Sequence, residues 1–472
     1  MTDSTRPAAR RRRGPADHER PIGGPAGPLP ARGRDPQATL DAEVAALEAA
    51  RDLPLPRRVL TYLKLGGPGF LGAALTLGAG TLTAAMLAGA TFGYRTLWIF
   101  VLAIGSGSFM LAAMARFTCR DGRSLIRLQR ERQGWLMAVV LTSLIGMVSV
   151  AVVFNFGQYA LGTHLIESLA GFAGFSFPQR YNWVVYMAIT VWLTLSYGRG
   201  RSGTVLVERF MKWSLALMFL AFALTLALVG VDWGALAKGL VVPWLPRGIE
   251  GIDLFIASSA AAVGVMDWLM FHYAGLAKGW GPKHEHLARV DIVLGLAIPF
   301  IAINTLVVAL FAGTLQGSGS IPQSAAELAR ALAPLLGERG AQALFYLGFL
   351  AVPITTTVGM SLAGAIAMHE ALGWKPDVRS WRWRASVLLP QVAFFGAFAP
   401  SPLWLIIIIA GLLSVTNNVV GWSLYLLFND RTVLGEHRSR SYWWNLGILV
   451  QVTLLNLVAI AYVFNRLGWW TG

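Results

Sequence analysis

The chain contains one cysteine, Cys119, among 472 residues. That excludes an internal disulfide framework and a zinc site built on thiolates. Charge is also scarce: 13% of the residues are Asp, Glu, Lys or Arg, against 55% hydrophobic, and the mean hydropathy is +0.57. Soluble globular domains do not have this composition; a polytopic membrane protein, whose main partner is the lipid bilayer, does. Catalytic signatures are absent as well. There is no P-loop, no nucleophile elbow and no second membrane aspartate of the kind an intramembrane protease needs, and His369-Glu370 lacks the second histidine of a zinc-protease helix. An enzyme is not expected, and no cofactor is implied.

The charge that is present is mostly basic, with a net value of +15. The basic residues lie between apolar runs, so the positive-inside rule accounts for them and nucleic acid is not expected as a partner. Eleven apolar runs can be counted, at roughly 66–91, 95–118, 135–169, 182–197, 204–230, 252–277, 287–315, 342–372, 385–399, 402–428 and 442–466. Alternate connections are rich in Arg and Lys, including Arg120 to Arg132, then Arg199, Arg201, Arg209 and Lys212, then Lys278, Lys283 and Arg289. This pattern predicts a cytoplasmic amino terminus and an outside carboxyl terminus, in a bacterial-type plasma membrane. Tryptophans near the run boundaries, such as Trp233, Trp244, Trp374 and Trp381, read as interfacial anchors.

Residues 1–60 hold eleven arginines and nine prolines with few large apolar residues, which predicts a disordered cytoplasmic tail with a short helix from Asp41 to Arg51. Contact between this tail and anionic headgroups is a further possibility. The transmembrane domain then occupies 61–472.

One stretch organises the rest. Gly67 to Tyr94 is about as long as a bilayer is thick and carries no charge and two glycines, Gly78 and Gly80, near its middle. Glycine lets a membrane helix open, and opened backbone is tolerated at membrane depth only where it faces a cavity. The sixth run has a similar weak point at Ala260 to Gly264, so an inverted five-plus-five repeat is plausible.

These residues resemble the Nramp divalent-metal transporters. Gly67-Pro68-Gly69-Phe70-Leu71 and Phe92-Gly93-Tyr94 match the ends of that family's first membrane helix, but its DPGN motif reads Gly78-Ala79-Gly80-Thr81 here. Ser324 to Thr357 is similar to the family's eighth helix and the loop before it, and Phe428-Asn429-Asp430 closes the tenth run as the family's does. The resemblance implies an all-α, LeuT-like fold of about eleven transmembrane helices, five plus five plus one. It also implies a site between broken first and sixth helices.

In the sixth run Val263 to His272 lies against the family's motif MPHNLYLHS: Val265 stands on the methionine, Met266 on the proline, Asp267 on the first histidine and His272 on the second. Loss of the thioether at Val265 implies a preference for harder ions. On the third helix the family's acidic pair becomes Phe156 and Tyr159, with Gln158 between them, and aromatic side chains do not relay protons as carboxylates do.

Asp267 is the one carboxylate placed deep inside an apolar run. It reads either as a cation ligand or protonation site, or as a hydrogen-bonded structural residue at the break. The candidate metal ligands are therefore Asp267, the Thr81 hydroxyl, backbone carbonyls at Gly78 and Val265, and His272. On an unbroken helix His272 lies about 140° from Asp267, so the two share a face only if the helix opens. Asn155, Thr355 to Thr357, Asn417 and Asn418 are further oxygen donors that helix-to-helix hydrogen bonding explains equally well. The expected function is secondary transport by alternating access, with a divalent cation as substrate. The alternatives are a small organic solute, or a sensor or scaffold that transports nothing.

Overall fold

The computed structural model describes residues 36–469, apart from 145, 176–180, 197–212, 214–215, 217–218, 221, 261–263, 317–321, 323, 375–376, 378–379 and 436–441. The expectations for residues 1–35, for Arg199, Arg201, Arg209 and Lys212, and for the middle of the sixth-run weak point lie outside the described residues.

Among the described residues the regular elements are all helical. In order they are α1 (Pro36–Ala50), α2 (Leu55–Leu65), α3 (Pro68–Thr76), α4 (Ala79–Phe92), α5 (Leu97–Arg120), α6 (Leu125–Gln133), α7 (Phe154–Phe172) and α8 (Asn182–Ser196). After these come α9 (Ile249–Ala260), α10 (Val265–Ala277), α11 (Ile298–Leu315), α12 (Ala333–Leu372), α13 (Pro402–Asn429) and α14 (Tyr442–Arg466), with shorter pieces between. Six described stretches are long and apolar enough to cross a membrane: Ala79–Arg120, Leu136–Phe172, Pro282–Leu315, Gly337–Leu372, Pro402–Asn429 and Tyr442–Arg466. The first holds two helices joined at Gly93, whose φ of 63° turns the chain between α4 and α5. Shorter pieces carry the rest of the apolar runs, because the chain interrupts several of them.

The first and sixth runs are the interrupted ones that matter for function. α3 and α4 are separated by Leu77 and Gly78, and α10 begins after Gly264. α3 packs on α10, while α4 packs on α9, so the two broken helices run antiparallel with their gaps side by side. α5, α11, α12 and α13 pack around this pair, α7 packs on α12 and α13, and α14 closes the bundle against α5 and α13. The polar ends created by the breaks are thereby held inside protein rather than in lipid, as backbone at membrane depth requires.

In the described part of the amino-terminal segment, α1 lies where a short helix is expected, and α2 lies where the expected tail meets the membrane domain. Residues 36–65 are mostly helical, and Leu47, Ala50 and Tyr62 are buried against the rest of the chain. Composition alone pointed to disorder because too little apolar surface is available within the segment; the folded domain supplies the missing surface.

Candidate functional site

Each break leaves helix ends whose backbone groups need partners. At the first, Gly78 is extended (φ −72°, ψ −177°) and serves as the N-cap of α4, its carbonyl accepting from Leu82 N at 3.1 Å. The Thr81 hydroxyl donates across the gap to the Thr76 carbonyl at 2.6 Å. At the second, Gly264 is also extended (φ −130°, ψ −172°) and precedes α10. A side chain there would crowd Asn417 of α13, whose Oδ1 accepts from Val265 N at 3.1 Å.

Asp267 joins the two. Its Oδ2 accepts from Gly264 N at 2.9 Å, which satisfies a first-turn donor of α10, and its Oδ1 accepts from the Thr76 hydroxyl at 3.0 Å. The same Thr76 hydroxyl lies 2.7 Å from the Gly72 carbonyl. A hydroxyl has one proton, so it can serve one of these acceptors fully but not both. The carboxylate is 7% exposed.

A cavity of about 50 Å³ lies between the breaks, lined by Thr76, Gly78, Gly80, Thr81, Gly264, Val265, Met266, Asp267 and Asn417 together with Phe154, Met360, Ala410 and Leu413. Among these lining residues Asp267 alone is charged. Space of about 10–15 Å³ admits one water, so the cavity has room for a small ion with part of its hydration shell.

Four of the five expected site residues, Gly78, Thr81, Val265 and Asp267, therefore meet at one cavity. His272 does not join them. It is fully buried seven residues into α10, with Nδ1 2.9 Å from the Thr118 hydroxyl of α5 and its ring 5.2 Å from that of Phe117. α10 is unbroken from Val265 to Ala277, so the angular separation from Asp267 stands. Of the expected backbone ligands, the Gly78 carbonyl accepts from Leu82 N and keeps a second lone pair, while Val265, as the first residue of α10, directs its carbonyl along the helix. Nor is the lining made of oxygen donors alone, because Met266, Met360, Phe154 and Leu413 are among its residues.

The residues that sequence reasoning passed over at the cavity are Thr76, Phe154, Met360, Ala410 and Leu413. Thr76 carried a weak signal, as a hydroxyl two positions before the opening glycine; Met360 and Phe154 arrive by packing. Of the further oxygen donors, Asn417 lines the cavity, whereas Thr355 and Thr356 donate to the Val352 carbonyl within α12. Tyr159 points into a neutral network, donating to Gln391 at 2.5 Å, and Thr190 donates to the same oxygen at 3.2 Å. Among the described residues no group of three or more His, Cys, Asp or Glu side chains forms a metal cluster.

A profile of the family described as natural resistance-associated macrophage protein-like matches residues 69–464. The chain belongs to that family. Among its relatives, the divalent metal cation transporter MntH of Aeromonas hydrophila is 26% identical over 416 residues, covering 84% of this chain and 95% of that one. MntH of Agrobacterium fabrum is 27% identical over 418 residues, covering 85% and 86%. Of solved structures, a histidine-to-alanine variant of the Eremococcus coleocola manganese transporter superimposes with a TM-score of 0.68 at 15% identity, covering 86% of this chain and 88% of that one. Mhp1, a nucleobase-cation-symport-1 family transporter in a closed conformation, gives 0.55 at 15% identity, covering 85% and 91%. These likenesses establish an all-α, LeuT-like fold for this Nramp-family chain.

Proposed function

We propose that this Nramp-family chain is a secondary transporter that carries a divalent cation by alternating access through the cavity between its two helix breaks. The observation that carries the reading is Asp267: a buried carboxylate with no basic residue among its cavity neighbours, one of whose oxygens shares a single hydroxyl proton with a competing carbonyl. A buried carboxylate in that condition takes up a proton or pairs with a cation, and the family favours the cation. The family and the MntH relatives supply the class of cargo.

In the mechanism, Asp267 provides the charge and the first ligand. The Thr76 and Thr81 hydroxyl oxygens and the Asn417 amide surround the remaining space, and the ion keeps some of its water. Because both breaks end at the cavity, rocking of α3 and α10 against α4 and α9 would expose the ion to one side and then the other. The chain acts as a carrier and not as an enzyme, with residues 61–472 as the transporting unit. It sits in a bacterial-type plasma membrane, with the amino terminus on the side of the basic connections and the carboxyl terminus opposite. Uptake of Mn2+, Mg2+ and Ca2+ into liposomes containing the purified protein tests this. Saturable uptake of at least one ion that Asp267→Asn abolishes supports the reading, and liposomes that take up none of them overturn it.

A further inference from the structure

α2, LPRRVLTYLKL, is strongly two-sided. At 100° per residue Leu55, Val59, Leu60 and Leu63 fall on one arc, Arg57 and Lys64 border it, and Tyr62 lies away from its centre. The protein covers the Tyr62 side: Tyr62 is buried, its ring meets that of His286 at 5.8 Å, and α2 rests on α1 and on the turn Glu285–Asp291. Leu55 and Leu60 at the edges of the arc stand outside, 73% and 52% exposed, Val59 and Leu63 between them are half-buried, and Leu53 just before the helix is 37% exposed. Exposed leucines next to Arg57 and Lys64 are poorly placed in water but well placed at the boundary between headgroups and acyl chains.

The chain's path locates the helix at that depth. α2 ends at Leu65, and α3 enters the membrane domain at Pro68. The junction is pinned twice. Lys278 Nζ donates to the carbonyls of Leu65 and Gly66 at 2.6 and 2.8 Å, and the Asp291 carboxylate accepts from Gly67 N and Gly69 N at 3.0 and 2.6 Å. Lys278 is the C-cap of α10, the helix whose first turn carries Asp267.

We propose that α2 lies in the surface of an anionic leaflet, its leucine arc at the acyl boundary and Arg57 and Lys64 at the lipid phosphates, and that Lys278 ties this surface anchor to α10. The partner is the bilayer surface rather than a second protein, because the chain enters the membrane three residues later and the flanking charge is positive. The tie gives the lipid surface a mechanical connection to one of the two broken helices, and it holds whatever the transporter carries.

The test uses the full chain in nanodiscs, with a nitroxide attached at Leu60→Cys or, separately, at Arg57→Cys; Cys119 is buried and does not compete. In phosphatidylglycerol-containing discs the Leu60 label should relax preferentially with oxygen and the Arg57 label with a water-soluble nickel chelate. Replacing Arg57 and Lys64 by Gln should shift the Leu60 label toward the chelate, as should purely zwitterionic discs. Lys278→Met should increase the mobility of the Leu60 label. Equal access of the chelate to both labels, protection of the Leu60 label from both reagents, or spin coupling between two copies would each overturn the surface assignment. An unchanged spectrum in a folded Lys278→Met protein would overturn the tie to α10.

Discussion

The breaks at Gly78 and Gly264 begin from the same device, an extended glycine ahead of a new helix, yet they are closed by different means. The first is closed by its own chain: Thr81 reaches back to Thr76 over five residues, and Gly78 caps α4. The second adds contacts from elsewhere to its own cap: Asp267 accepts from Gly264 N and reaches over to Thr76, and Asn417 of α13 holds Val265 N. The first break is therefore local and neutral, and the second carries the charge and the long-range contacts. A site that must bind a cation and also change shape gains from this division, because the charged half is anchored to other helices that can move relative to it.

The largest expected effect comes from removing the charge at the second break while keeping its cap. Asp267→Asn retains an oxygen for Gly264 N but should weaken cation binding by roughly 2–5 kcal/mol, the range for losing one member of a buried charge pair. Gly264→Ala attacks the same break sterically: its methyl would press on Asn417, and thermal unfolding in detergent should report a loss of about 1–3 kcal/mol. At the first break, Thr81→Val removes the local hydrogen bond to the Thr76 carbonyl, so stability should fall by about 1 kcal/mol in the same assay, with cation binding reduced less than by Asp267→Asn. The smallest effect on binding is expected for His272→Gln. That side chain contacts Thr118 and Phe117 rather than the cavity, so binding isotherms should match those of the parent. Binding as weak in His272→Gln as in Asp267→Asn would show that the second break extends further along α10 than its contacts indicate.

Much of this was legible in the sequence. Glycines in the middle of an uncharged membrane run mark an opening, and one carboxylate inside an apolar run stands out because burying it is costly. Which atoms face the cavity was less legible. Val265 was expected to offer a carbonyl, but it lies on the starting side of α10, and helix starts present N–H groups. Met360 and Phe154 reach the cavity from α12 and α7 only because those helices pack around the breaks, and no local pattern encodes that packing. The helix α2 was hidden for the same reason, since its buried side chain rests on another part of the chain, Tyr62 on His286.

The central claim is that Asp267 binds a cation, and equilibrium titration of the purified protein tests it most directly. Mn2+, Mg2+ and Ca2+ would be titrated calorimetrically into the parent and into Asp267→Asn, with thermal unfolding confirming that both are folded. Saturable heat from at least one ion in the parent, absent from a folded Asp267→Asn protein, is the predicted result. Equal heat in both proteins would place the ion elsewhere, and no heat in either would contradict the account.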